Sequence, residues 1–220
     1  MAHRAALFAA GLDHNGLPEV GRGDPSSCSS NMQQTPPRID AHVHIWGLDG
    51  YPEAQPSPPE LVGTVEALRS VLAASGLQGA LIVQPINYKF DHTPVGAALE
   101  ESLWRRWQKD YYALADSVPQ LRGMALADPS MEPAAAVAAL EALVGQGFTG
   151  VRFNPDLAGP WRGSSWMVGP TGRALYSRCG ELRMPVGVMC FTGLLQSADD
   201  IETLLALSPA TLAMGDYDIK

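Results

Sequence analysis

The chain has 220 residues, 46% hydrophobic and 17% charged, with 22 glycines and 18 prolines, a composition of soluble globular proteins that excludes fibres and wholly disordered chains. A formal net charge of −8, without any run of Lys or Arg, excludes nucleic acid and anionic membrane surfaces as main partners and favours a small-molecule substrate. The longest apolar windows, 80–83 and 186–191, fall far short of the roughly 20 residues that cross a bilayer, and three cysteines, Cys28, Cys179 and Cys190, make no disulfide framework and predict a reducing compartment, the cytoplasm.

Residues 1–37 are rich in Gly, Ser, Asn, Pro and Gln without helical or strand periodicity, so they read as a disordered leader. A short apolar stretch after Arg4 makes an organelle the alternative destination. From residue 38 onward, β-type apolar runs alternate with Ala- and Leu-rich amphipathic stretches, the pattern of an α/β protein with a parallel sheet. The first strand is expected over 38–44 and a helix over 59–74. A strand over 79–84 and a helix over 95–117 follow. The third pair is a strand at 121–126 and a helix at 133–146, with Pro133 in its first turn. Next come a strand at 150–153 with a helix at 171–182, and a strand at 185–190 with a helix at 198–207. Ser197 is placed to cap that last helix, with Asp199 and Asp200 in its first turn. A sixth strand is expected at 211–214. Gly76, Gly147 and Gly180 fall at helix ends, where a left-handed residue is needed.

Two architectures accommodate these five to six βα units. A closed eightfold barrel takes about 250 residues, about three units more than follow the leader. An open doubly wound sheet fits the length, but no Gly-rich phosphate loop follows the first strand. Pattern alone leaves both open.

The densest chemistry lies in Arg38-Ile39-Asp40-Ala41-His42-Val43-His44-Ile45-Trp46. On a strand, residues i and i+2 share a face, so His42 and His44 converge, as two nitrogen ligands of a divalent metal do. Asp40 is expected on the same face, one step deeper. Two hydrogen-bonded structural histidines would give the same spacing.

This segment resembles the HxH motif of the metal-dependent amidohydrolases, in the amidohydrolase-related (amidohydrolase 2) branch of TIM-barrel hydrolases and decarboxylases. The likeness continues through Gly79-Ala80-Leu81-Ile82-Val83-Gln84-Pro85-Ile86-Asn87 with Phe90-Asp91-His92, through Gly150-Val151-Arg152-Phe153-Asn154-Pro155, and through Pro185-Val186-Gly187-Val188-Met189-Cys190. These are similar to strand ends of plant and algal members and of related lactone hydrolases.

The resemblance implies a (β/α)8 TIM barrel, here incomplete at about five to six βα units over 38–220. It also implies a divalent metal, zinc first, held by His42 and His44. The implied activity is hydrolysis of a small ester, lactone or amide through metal-activated water. A decarboxylase of the same branch is one alternative. Another is a truncated, non-catalytic barrel whose open edges need a second copy or another chain. The family's strand-eight aspartate base has no counterpart in this chain, so no catalytic base is named. Where many members carry a strand-five histidine, this chain has Met189 and Cys190, the latter either a soft ligand or a core residue. Substrate contacts are expected at the strand ends that face the site of a parallel barrel: Gln84, Asn87 and His92 after the second strand, Arg152 and Asn154 at the fourth. Arg152 could hold a carboxylate or lactone oxygen, or pair with Asp128 or Asp156. His92, beside Asp91, could equally be structural. Trp161 and Trp166 mark a loop that could close over the site. Trp104-Arg105-Arg106-Trp107 reads as part of a mixed-charge helix.

Overall fold

The computed structural model describes residues 38–46, 63–112, 119–156, 166–191, 193–208 and 213–216, those at 103–112 and 213–216 as backbone only. The expected leader, residues 59–62 of the first helix, 113–117 of the second, 211–212 of the sixth strand, and Trp161 lie outside the described residues. All described residues belong to one unit, Pro37–Lys220.

Strands and helices alternate along this unit: β1 (Ile39–Val43), α1 (Val65–Ala74), β2 (Gly79–Val83), α2 (Thr93–Tyr112), β3 (Gln120–Leu126), α3 (Pro133–Gly145), β4 (Phe148–Phe153), α4 (Pro170–Leu182), β5 (Val186–Met189), α5 (Ala198–Leu207) and β6 (Ala213–Asp216). Single-turn 3₁₀ segments at Ile86–Tyr88, Trp166–Val168 and Leu194–Ser197 precede α2, α4 and α5. The strands form one parallel sheet in the order β1-β2-β3-β4-β5-β6. That order decides between the two architectures, because a doubly wound sheet reverses direction at a switch point, whereas a TIM barrel adds each strand beside the last. The fold is an incomplete TIM barrel of six strands. Among the described residues, β1 and β6 each pair on one side only.

The helices begin where their sequences supply partners for the first backbone N–H groups. Thr64 caps α1, its hydroxyl accepting the Ala67 amide at 3.3 Å. Asp91 Oδ1 accepts the Thr93 amide at 3.0 Å at the start of α2. Pro133 and Pro170 open α3 and α4, where the missing N–H costs nothing. Gly76 and Gly147 adopt φ of 62° and 100° after α1 and α3, as expected of helix ends.

Two expectations at helix ends are corrected. Gly180 lies inside α4, and the left-handed residue there is Arg183, at φ 56°. Ser197 stands at the N-cap of α5 without making a side-chain cap: its backbone, at φ −112° and ψ 9°, is not in the extended conformation of a capping residue, and its hydroxyl instead accepts the Cys190 thiol at 3.7 Å.

Apolar side chains concentrate in the layer between sheet and helices, in two clusters. One gathers Ile45, Leu72, Ile82, Leu99, Leu121 and Phe148 under α1 and α2. The other gathers Phe153, Trp166, Tyr176, Cys179, Val186 and Val188 under α3 to α5. Each fully buried Leu, Val or Phe contributes roughly 1.5–3 kcal/mol relative to exposure, so these clusters hold the strands in register. The opposite face of the sheet carries Met124, whose thioether fills the space that side chains at Gly150 and Gly187 would occupy. Parallel pairing places all strand carboxyl ends at one edge, where the predicted site residues collect.

Candidate functional site

His42 and His44 meet at the carboxyl end of β1, with their Nε2 atoms 3.2 Å apart and their rings edge to face at 4.9 Å between centroids. The Nδ1–H of His44 donates to the Val83 carbonyl at the end of β2, at 2.8 Å. A carbonyl only accepts, so Nδ1 carries the proton, and in the neutral ring the lone pair is left on Nε2. Such a backbone anchor is the usual way a metal-ligating imidazole is oriented. Two nitrogens bound to one ion at ~2.0–2.1 Å lie roughly 2.8–3.4 Å apart for bond angles between 90° and tetrahedral. The observed spacing falls in that range, and it is also the distance of a direct Nε2–H···Nε2 hydrogen bond between the two rings. Among the described residues, no group of three or more His, Cys, Asp or Glu side chains is arranged to hold a metal.

Asp40 does not join the pair. The β1–β2 register slips between Asp40 and Val43, so β1 carries one extra residue there, a bulge that breaks strict alternation. Asp40 Oδ1 turns back to accept the His42 amide at 3.1 Å. Strict period-two reasoning could not foresee the bulge.

At the end of β2, Gln84 is fully buried and in step with Ala80 and Ile82, which belong to the helix-side cluster. Its Nε2 donates to the carbonyls of Lys89 (3.2 Å) and Asp91 (2.7 Å), clamping the β2–α2 loop. Both bonds need the amide nitrogen, so Oε1 is the atom left buried without a partner. The loop it clamps is strained at Lys89, with φ 49° and ψ −120°. Asn87 sits in the intervening 3₁₀ turn with Oδ1 buried and likewise unsatisfied.

His92 accepts the Leu126 amide through Nε2 at 3.0 Å and packs edge to face on Phe148 at 5.6 Å. Burial lowers its pKa, only partly offset by a backbone hydrogen bond to Phe90 and the charges of Asp91 and Asp128. The neutral ring thus tethers the β2–α2 loop to the end of β3.

Arg152 (5% exposed) and Asn154 (0%) sit at the carboxyl end of β4, with β2 and β3 between them and β1. Arg152 pairs in register with Leu126 and Gly187, on the Met124 side of the sheet. Asn154 Oδ1 accepts the Asp156 amide at 3.0 Å, and its carbonyl accepts the Trp166 indole N–H at 3.2 Å, while its Nδ2 is buried with no partner. Trp166 is buried against Phe153, part of the core rather than of a cover over the site. Cys190 lies in the helix-side cluster beside Ser197, and burial raises its thiol pKa.

The amidohydrolase family model matches residues 39–207. The chain belongs to the amidohydrolase family. The match runs from β1 to the end of α5, so it includes the histidine pair and both buried β4 residues. No curated protein matches the sequence. Among solved structures, this amidohydrolase resembles in fold a candidate 2-pyrone-4,6-dicarboxylic acid hydrolase from Pseudomonas putida, at 24% identity and a TM-score of 0.53 over 81% of this chain. A second such candidate, from Acinetobacter baumannii and with citric acid bound, matches at 16% identity and a TM-score of 0.51, also over 81%. The chain spans 56% of the length of the first protein and 68% of the second.

The sequence reading missed the Val83 carbonyl that orients His44. Backbone acceptors leave no residue-type signal, so only the β1–β2 pairing reveals it.

Proposed function

We propose that the protein is a metal-dependent hydrolase acting on a small ester, lactone or amide, with His42 and His44 as ligands of a divalent ion, zinc first. The observation that carries this reading is the 3.2 Å spacing of two imidazole nitrogens, one ring locked by the Val83 carbonyl. Family membership supports it. The two similar folds are described as candidate hydrolases of a pyrone dicarboxylic acid, a cyclic ester, which favours a lactone among the three substrate classes. When bound, the ion supplies a Lewis acid and a water nucleophile near neutral pH.

The chain's own residues take the remaining roles. Arg152 receives a carboxylate or acyl oxygen, since a guanidinium offers a bidentate fork. Asn154 Nδ2, a buried donor without a partner, offers a hydrogen bond to a substrate oxygen. Asn87 contributes an acceptor from the β2–α2 loop, while Gln84 and His92 hold that loop in shape. The reading puts the protein in the cytoplasm, consistent with the free thiols of Cys179 and Cys190. No helix among the described residues is long and apolar enough to cross a membrane.

The test is turnover of a small neutral lactone such as dihydrocoumarin by zinc-loaded protein. His42→Ala with His44→Ala should lower the rate by at least about a hundredfold, more than loss of an outer-shell partner costs. Equal turnover by the double variant would contradict the proposal.

A second reading, a non-catalytic barrel closed by a second copy or another chain, is favoured by one observation. Among the described residues β1 and β6 have open edges, and Ile39 on β1 is 57% exposed. Light scattering distinguishes it: a mass above 23.4 kDa supports closure by another copy, and a soluble, cooperatively melting monomer opposes it.

A further inference from the structure

We propose a second ligand site on the opposite side of the sheet from the histidine pair, between α3 and strands β3 and β4, for a small apolar molecule that carries no negative charge. A cavity of about 250 Å³ lies there. Its walls include Ala125 and Ala127 of β3, Val151 of β4, and Ala136, Ala139 and Leu140 of α3. Elsewhere the same layer is filled by Leu, Ile and Phe, as at Ile82, Leu99, Leu121 and Phe148. Here four alanine methyls face one another across the gap, and the missing side-chain volume is the cavity.

Native interiors contain few voids larger than a water molecule, and a dry apolar cavity of about 150 Å³ already binds benzene. The space here suits a bicyclic aromatic or a short aliphatic chain. Access runs through a groove between the start of α2 and the end of α3, which shares Phe90, His92 and Leu143 with the cavity.

Charge sets the ligand class. Asp128 faces the cavity, and Asp91 and Glu100 face the groove. His92, common to both, is held neutral-leaning by burial. No Lys or Arg lines either space. A carboxylate entering this passage meets three like charges and no cation, whereas an uncharged, mostly apolar molecule gains by leaving water. Strand alternation separates this space from Met124 and Arg152, which face the other way, so the site does not depend on the proposed hydrolytic chemistry.

The experiment is a titration of the whole protein with indole, followed by methyl NMR on labelled alanines, with indole-2-carboxylate as the charged comparison. Saturable shifts at the methyls of Ala125, Ala127, Ala136 and Ala139 are expected, with the carboxylate binding at least about tenfold more weakly. Ala139→Leu should fill the gap and weaken indole binding at least about tenfold. Absence of saturable shifts at these four methyls in the unmodified protein would overturn the site, whatever the fate of the variant. Equal binding of the carboxylate would overturn the assigned ligand class.

Discussion

His92 shows how one side chain couples chemistry to architecture. Its ring serves as acceptor for the Leu126 amide only while Nε2 is unprotonated, and burial holds its pKa below the ordinary 6.5. A base with a lowered native pKa binds fewer protons folded than unfolded, so the stability it contributes is present above about pH 6.5 and is lost as pH falls through the native value. Thermal melts from pH 8 to pH 5 should show stability declining on the acid side, with a shallower decline in His92→Gln. An unchanged pH profile in that variant would contradict the role. The sequence offered His92 as either substrate contact or structural residue, and spacing alone could not separate the two. The hydrogen-bond partner the structure adds, the Leu126 amide, lies 34 positions away and bears no side-chain signature. His42 and His44 were legible because strand periodicity itself brings them together. Asp40 was misplaced because a bulge breaks that periodicity.

At the scale of elements, the βα alternation was readable because each strand is a short apolar run and each helix has a marked start. Most observed bounds lie within a few residues of expectation: β4 begins at Phe148 rather than at 150, and α2 begins at Thr93 rather than at 95, where Asp91 supplies the acceptor; α1 is the exception, since it begins at Val65 rather than at 59, after an extended Thr64 that caps it. The 3₁₀ turns were not legible, since segments of three or four residues carry no period. One of them controls a helix start. Gly172, in the first turn of α4, lies against the backbone of Met167 in the Trp166–Val168 turn, so a Cβ there would run into the Met167 carbonyl. Gly to Ala inside a helix normally stabilises by roughly 0.5–1 kcal/mol. Here overpacking against rigid backbone decides the sign, and Gly172→Ala should lose about 1–3 kcal/mol in chemical denaturation. A gain in stability would show that the turn yields freely.

Across the whole molecule, the six strands follow one another in the sheet as they do in the sequence, and this places the histidine pair, the clamped β2–α2 loop, Arg152 and Asn154 along one edge. Composition and pattern left the barrel and the open doubly wound sheet equally possible, because strand order is a property of pairing rather than of any local segment. The resemblance carried by the HxH motif pointed to the barrel, and the parallel pairing of β1 through β6 decides for it. The central claim is that the paired imidazoles form a metal site in this amidohydrolase. Its most direct measurement is the zinc retained per chain after loading and desalting, for the unmodified protein and for the His42→Ala, His44→Ala double variant, with melting curves to show that both are folded. The account predicts about one zinc per chain in the former and near-complete loss in the latter. Equal retention by two equally folded proteins would contradict it.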